Sequence, residues 1–466
     1  MEPFVITRRD LLATTAQSIG IAGLATVLGG QASAATNPLA AKPPHFAPRA
    51  KRIIHLWMNG GPSQVDTFDP KPALEKFAGQ RPDSANLSTE QKTTGLMPSP
   101  FRFTKHGRSG MEISELFPHL ARHADDLCVI RSMHTNTPVH EASNWLMFTG
   151  YPQPIRPAYG SWLLYGLGSL NENLPGFVVL GEGQPVNGPS NWSSRFLPGI
   201  YQGCHVRPDP RNALDNLAYP SPADVQRRRL DFAQHLNAIH LRRQGVDNAF
   251  VANIESLELA YRMQTSASEA FDVSSETAAT QDAYGMSGRN LEAGNARRTF
   301  GRNCLLARRL LERGVRVVQI YAGNGQPWDT HNDNSRRQKE LAQIVDQPIA
   351  ALLQDLKQRG LLEDTLVVWG GEFGRTPTTE GQSGRDHNHY GFTMWLAGGG
   401  VKGGLTYGAT DEFGFRAVEK RVHVHDLHAT MLHLMGIDHE RLTFRYSGRD
   451  YRLTDVHGTV VHDLIA

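Results

Sequence analysis

Short apolar, β-branched runs recur along this chain, and most give way to glycine or to a cluster of polar residues. Arg52–Met58 (RIIHLWM), Leu127–Ser132 (LCVIRS), Leu174–Leu180 (LPGFVVL), Val315–Ile320 (VRVVQI), Thr365–Trp369 (TLVVW) and Phe392–Ala397 (FTMWLA) read as strands. They lack the strict polar alternation of a half-exposed sheet, so they fit strands buried on both faces. Val225–Arg243, Val251–Met263, Asn295–Arg313 and Leu341–Arg359 carry apolar residues at helical spacing, and the last two stop at Gly314 and Gly360 as helix-ending glycines do. A helix lying between the Val315 and Thr365 runs predicts a βαβ crossover, hence parallel strands. The fold class expected is α/β, with a largely parallel central sheet and helices on both faces. Residues 36–466 are expected to form one domain with a helical insertion at about 221–312. Pro348 predicts a kink or a break in the Leu341 helix. Gly79–Gly110 and Gln264–Asn290, rich in small and polar residues without periodicity, predict a long surface excursion and a loop or lid.

The first residues follow a different logic. Thr7-Arg8-Arg9-Asp10-Leu11-Leu12 leads into a weakly apolar run ending in Gln31-Ala32-Ser33-Ala34, the order of a twin-arginine export signal over residues 1–35. That predicts a periplasmic or secreted protein. No later run reaches the roughly 18 apolar residues that a membrane span needs. A formal net charge of +2 argues against a nucleic-acid partner. Cys128, Cys204 and Cys304 are scattered and form no C-x-x-C pair, so neither a disulfide framework nor a zinc ribbon is indicated.

Candidate chemistry gathers just beyond predicted strand ends, where open α/β sheets bind ligands. After Met58 come Asn59-Gly60-Gly61, Ser63, Asp66 and Asp69; the two aspartates also suit turn caps. After Ser132 come Thr135, Thr137 and His140, the last opening a predicted helix whose free N–H groups favour an anion. After Ile320 come Asp329 and His331, an oxygen and an imidazole nitrogen of the types that zinc and manganese accept. Beyond Trp369 come Glu372, Arg375, Asp386, His387 and His389. The four histidines at 423, 425, 428 and 433 fall among leucines and methionines at helical spacing, which favours a helix over a metal site.

GGPSQVDTFDPKP (60–72), WDTH (328–331), GGEFGRTP (370–377), GRDHN (384–388), WLAGGGVKGG (395–404), HDLHATMLHLMGID (425–438) and YSGRDYRLTD (446–455) together resemble the exported bacterial family DUF1501. That family is regarded as similar to the sulfatase branch of the alkaline phosphatase superfamily. The resemblance implies a site in which Glu372 takes the position of a ligand Asp, Phe373 that of a His, and Asn59 that of the first-strand Asp. Asp329 and His331 match the middle ligand pair, His387 or His389 the late His, and His140 the place of the nucleophile; the formylglycine-forming Cys is absent. The set expected to hold a divalent ion (zinc, manganese or calcium) is therefore Asp66, Asp329, His331, Glu372, His387 and His389. His140, Thr137 and Arg375 are the expected catalytic groups, with Ser63 or water as other nucleophiles and Arg375 as an anion clamp. The activity implied is hydrolysis of a small or polymeric anionic ester, sulfate or phosphate. The alternative is a scaffold that has lost catalysis and binds an anionic polymer or a partner protein at the cell surface.

Overall fold

A computed structural model describes residues 37–181, 183–207, 223–244, 248–287 and 294–466. The expected export signal at 1–35 lies outside the described residues. Nine strands form one sheet: β1 Arg52–Trp57, β2 Leu127–His134, β3 Phe177–Leu180, β4 Cys204–Val206, β5 Val317–Tyr321, β6 Thr365–Gly370, β7 Phe392–Ala397, β8 Leu405–Tyr407 and β9 Val422–His423. Their order across the sheet is β8-β2-β7-β6-β1-β5-β3-β4, with β9 also pairing with β2. Every pairing is parallel except those of β7, which runs antiparallel to both β6 and β2.

Alternate residues of β1 explain why helices cover both faces. Ile54 and Leu56 join one core with helices α5 (Gly294–Glu312) and α6 (Asn334–Gln358). Ile53 and Trp57 point the other way, into a core with α1 (His140–Thr149), α2 (Tyr159–Leu167) and α7 (Val424–Leu434). A strand apolar on both faces needs both layers, which is why these runs show no polar alternation. Residues Pro38–Ala466 form a compact unit of their own. No helix among the described residues is long and apolar enough to cross a membrane.

Several expectations need correction. Gln264–Phe271 is not a loop but the end of helix α4 (Asn248–Phe271), which follows α3 (Ala223–Gln244). Pro348 does not split its helix, which runs without interruption over Asn334–Gln358. The excursion after Gly79 is partly ordered, since Thr93–Leu96 pairs antiparallel with Thr378–Glu380. Strands β4, β8 and β9 were not predicted; each has only two or three residues, too few for a periodic signal.

The register positions the chemistry. Trp57 lies level with Tyr321 on one side and Gly370 on the other, so β1, β5 and β6 end along one rim. Because β7 is antiparallel, the loop at 371–391 leaves β6 and re-enters the sheet at that same rim. The start of β7, Phe392, is level with Met133 near the end of β2, which brings the loop at 135–139 alongside.

Candidate metal centre

Four loops meet at the rim around one carboxylate oxygen. Asp329 Oδ1 lies 3.0 Å from His331 Nε2, 3.1 Å from His387 Nε2 and 3.4 Å from His140 Nε2. The Arg375 guanidinium is 2.7 Å from the same oxygen. Three imidazoles thus present the same ring nitrogen to one point, although they come from 56 to 247 positions apart.

Behind each imidazole stands a carboxylate. His140 Nδ1 donates to Glu372 Oε1 at 2.6 Å, His331 Nδ1 donates to Glu380, and His387 Nδ1 donates to Glu90 Oε2 at 2.6 Å and to the Pro138 carbonyl at 2.8 Å. An Nδ1 facing carboxylates and a carbonyl must carry the hydrogen, so in the neutral ring the Nε2 lone pair faces the centre. The Nε2 atoms of His331 and His387 are then only 3.0 Å apart, with Asp329 Oδ1 between acceptors. His140 Nε2 is buried and has no aligned hydrogen-bond partner. With the rings neutral, these converging acceptors fit a cation; without one, Arg375 and protons on His140 and His331 offset the Asp329 charge. His140, Asp329 and His387 bring ligand atoms within 4.8 Å of one another, and so do His331, Asp386 and His387.

The same geometry perturbs the titrations. Burial would raise the Asp329 carboxyl, but His140, His331, His387 and Arg375 hold it far below the usual carboxylate range. Burial would lower the His140 imidazolium, yet the approach of Asp329 and the hydrogen bond to Glu372 prevail and raise it to about 9. His331 is raised, first by Asp329 and, against its burial, by Glu380.

Local backbone explains how the side chains get there. The Gly60 N–H donates to both Glu372 oxygens, at 2.9 and 3.2 Å, and so fixes the carboxylate that orients His140. Gly60 has φ +103°, and a Cβ there would sit 2.5 Å from the Asp329 backbone nitrogen. Only glycine permits both. Beyond β6, Gly374–Arg375 pairs antiparallel with His387–Asn388, which sets Arg375 opposite His387.

The structure brings Asp329, His331, Glu372, His387, His140 and Arg375 together and leaves three expected residues outside. Asp66 is not at the centre: it is fully buried against Arg385, accepting from Nε at 2.9 Å and Nη2 at 3.2 Å, and also from Ser63 Oγ at 2.6 Å and Asn334 Nδ2 at 2.8 Å. This neighbourhood also occupies the Ser63 hydroxyl. The carbonyl of His389 binds the Thr135 N–H, and its ring packs on Tyr390 instead of reaching Asp329. Burial, with His134 nearby, lowers its imidazole to about 4. Thr137, half-buried, has its hydroxyl on the Val139 N–H at 3.2 Å. Arg375 is wholly buried, with Nε on the Gly61 carbonyl at 3.1 Å and another donor on the Gly60 carbonyl, so it braces the glycine turn instead of standing open as a clamp. Glu372 orients His140 and is not among the converging ligand atoms. Sequence reasoning missed Glu90 and Glu380: each is one carboxylate in a polar stretch with no motif, and nothing local marks either. The histidines of α7 behave as a helix with core hydrogen bonds, His425 and His428 donating to the Gly150 and Met147 carbonyls at 3.0 and 2.7 Å.

Comparison with solved structures finds a sulfatase from Pseudoalteromonas sp. at 13% identity and TM-score 0.35, covering 84% of this chain and 69% of that one. A phosphonate monoester hydrolase from Silicibacter pomeroyi is similar at 14% identity and TM-score 0.33, over 69% and 68% of the two chains. A protein in the alkaline phosphatase superfamily from Vibrio parahaemolyticus is similar at 10% identity and TM-score 0.36, over 86% and 70%. At that level of superposition the chemistry rests on the site's own residues. Among curated proteins nothing matches. Residues 50–465 match the family model described as "Protein of unknown function (DUF1501)", and the chain belongs to that family.

Proposed function

We propose that this chain is a metal-dependent hydrolase of sulfate or phosphate esters. The observation that carries the reading is the convergence of His140, His331 and His387 Nε2 on Asp329 Oδ1, each ring held from behind by a carboxylate. His140, Asp329 and His387 would hold the ion, and His331 and Asp386 form a second ligand set that shares His387. Imidazoles with carboxylates are the donor set of zinc or manganese. When bound, such an ion supplies electrophilic activation of an ester oxygen and acidifies nearby water.

The chain's own residues do the rest. Glu372, Glu380 and Glu90 keep protons on the three Nδ1 atoms and so keep Nε2 turned inward. Arg375 neutralises Asp329 and holds the Gly60–Gly61 turn. Helix α1 begins at His140, so its unpaired first-turn amides favour an anion on that side. Water is the nucleophile that suits this arrangement, since the Thr137 hydroxyl lies outside the convergence and accepts from the Val139 N–H. His140 and His387 are buried while His331 is partly open, so an ester would enter along the His331 edge. Export by the twin-arginine route would suit a protein that loads its ion before secretion.

The test is metal analysis of purified protein together with turnover of p-nitrophenyl sulfate, phosphate and phosphodiester. The reading expects a stoichiometric transition metal and hydrolysis of at least one ester, both lost in Asp329→Ala. Protein that binds no ion refutes it, and an ion without turnover of any ester points to a binding scaffold.

A further inference from the structure

Resting on that reading, we propose that Glu90 is a positioning residue for His387, delivered by a strap formed by residues 85–98 that lies along the loop at 371–391. Glu90 Oε2 lies 2.6 Å from His387 Nδ1, the nitrogen on the ring's far side from Asp329. It therefore touches the centre only through His387. One residue on, the Gln91 N–H donates to Asp386 Oδ2 at 2.6 Å. The strap thus meets both residues that the loop at 371–391 brings to the second ligand group.

The strap is fixed from Thr93 onward along that same loop. Thr93 pairs with Glu380 and Leu96 with Thr378, and the Met97 N–H donates to the Pro377 carbonyl at 2.8 Å. Arg385 Nη2 in turn donates to the Met97 carbonyl at 3.0 Å. Opposite Thr93 stands Glu380, the carboxylate that orients His331, so one two-stranded ribbon steadies the Nδ1 partners of two imidazoles. Ala85 and Leu96 anchor the strap in a small core with Val65, Leu74, Phe413 and Phe415, apart from the two cores of the central sheet. The Glu90 side chain remains 35% exposed, which places it on the rim.

Outer carboxylates on ligating histidines typically set metal affinity by about 10–100-fold, because they fix tautomer and ring orientation. Glu90→Ala is therefore expected to weaken cobalt(II) or zinc(II) binding by about 10–100-fold in a chelator competition. It is also expected to shift the visible spectrum of the cobalt-loaded protein, while the melting temperature of the chelated protein stays unchanged. Glu90→Gln keeps side-chain volume and one acceptor oxygen, so its loss should be smaller. A purely structural role would lower the melting temperature of the chelated variants and leave the cobalt spectrum alone. If wild-type protein binds cobalt and Glu90→Ala binds it within twofold with the same spectrum, the strap proposal is wrong and the hydrolase reading stands. If wild-type protein binds neither ion, both fall.

Discussion

Asp66 separates a structural carboxylate from a ligand, and Asp66→Asn makes the separation measurable. Asp66 and Arg385 are both wholly buried and share two contacts, at 2.9 and 3.2 Å. Burial alone would raise the Asp66 carboxyl; Arg385, Ser63 and Asn334 outweigh it and lower its pKa. Removing one charge leaves the other buried without a counter-ion, a change that typically costs about 3–5 kcal/mol. Unfolding entropy of about 2.1 cal/mol/K per residue amounts to about 0.9 kcal/mol/K over the compact unit, so the expected fall in melting temperature is about 3–6 °C. The assay is calorimetry on protein kept in excess chelator, so that no ion contributes. Asp66→Leu combined with Arg385→Met removes both charges and should recover part of the loss. A chelated Asp66→Asn protein that melts within 1 °C of wild type, yet binds metal at least tenfold more weakly, would show that Asp66 is a ligand and that this account of it is mistaken.

Acid should weaken the fold through buried histidines. Burial, with neighbouring histidine charge, lowers His55 and His428 from 6.5 to about 3. The unfolded chain then takes up protons first as pH falls, so stability present above about pH 6.5 is lost progressively down to about pH 3. At pH 5 each ring accounts for about 2 kcal/mol of that loss. Urea midpoints at pH 7.5 and 5 should show a shallower pH dependence in His428→Gln than in wild type, and equal slopes would contradict the argument. Gly384→Ala tests the packing behind His331, because a Cβ there would lie 1.7 Å from the His331 carbonyl oxygen. The variant should keep wild-type far-ultraviolet dichroism and lose at least about tenfold in metal affinity; unchanged affinity would mean that the His331 loop yields without consequence.

The strands of the rim were legible because burial on both faces leaves a local signature, an unbroken apolar run followed by glycine or polar residues. Asp329, His331, Glu372 and His387 were legible for the same reason: each follows such a run. What stayed hidden was partnership across the chain. Asp66 and Arg385 are 319 positions apart, and an Asp near a strand end reads identically whether it faces a metal or a guanidinium. Glu90 lies in a polar excursion whose pairing partner, Thr378–Glu380, only the tertiary fold supplies. His389 illustrates the converse, since H-x-H in a loop offers two imidazoles and the backbone turns only His387 inward.

The reversal of β7 is what lets one loop do so much. A parallel strand after β6 would need a crossover to the opposite edge of the sheet, carrying the loop away from the rim. An antiparallel β7 lets residues 371–391 start and finish above Asp329, and the loop folds on itself where Gly374–Arg375 meets His387–Asn388. Arg375, His387, Glu372 and Glu380 are then placed by backbone pairing and by the Gly60 amide. A site braced in this way is expected to fold in excess chelator, unlike small metallodomains whose sites exist only in the holo form. The bracing also explains why His140 Nε2 faces Asp329 Oδ1 at 3.4 Å without an aligned hydrogen bond: Glu372 fixes the ring from its other side.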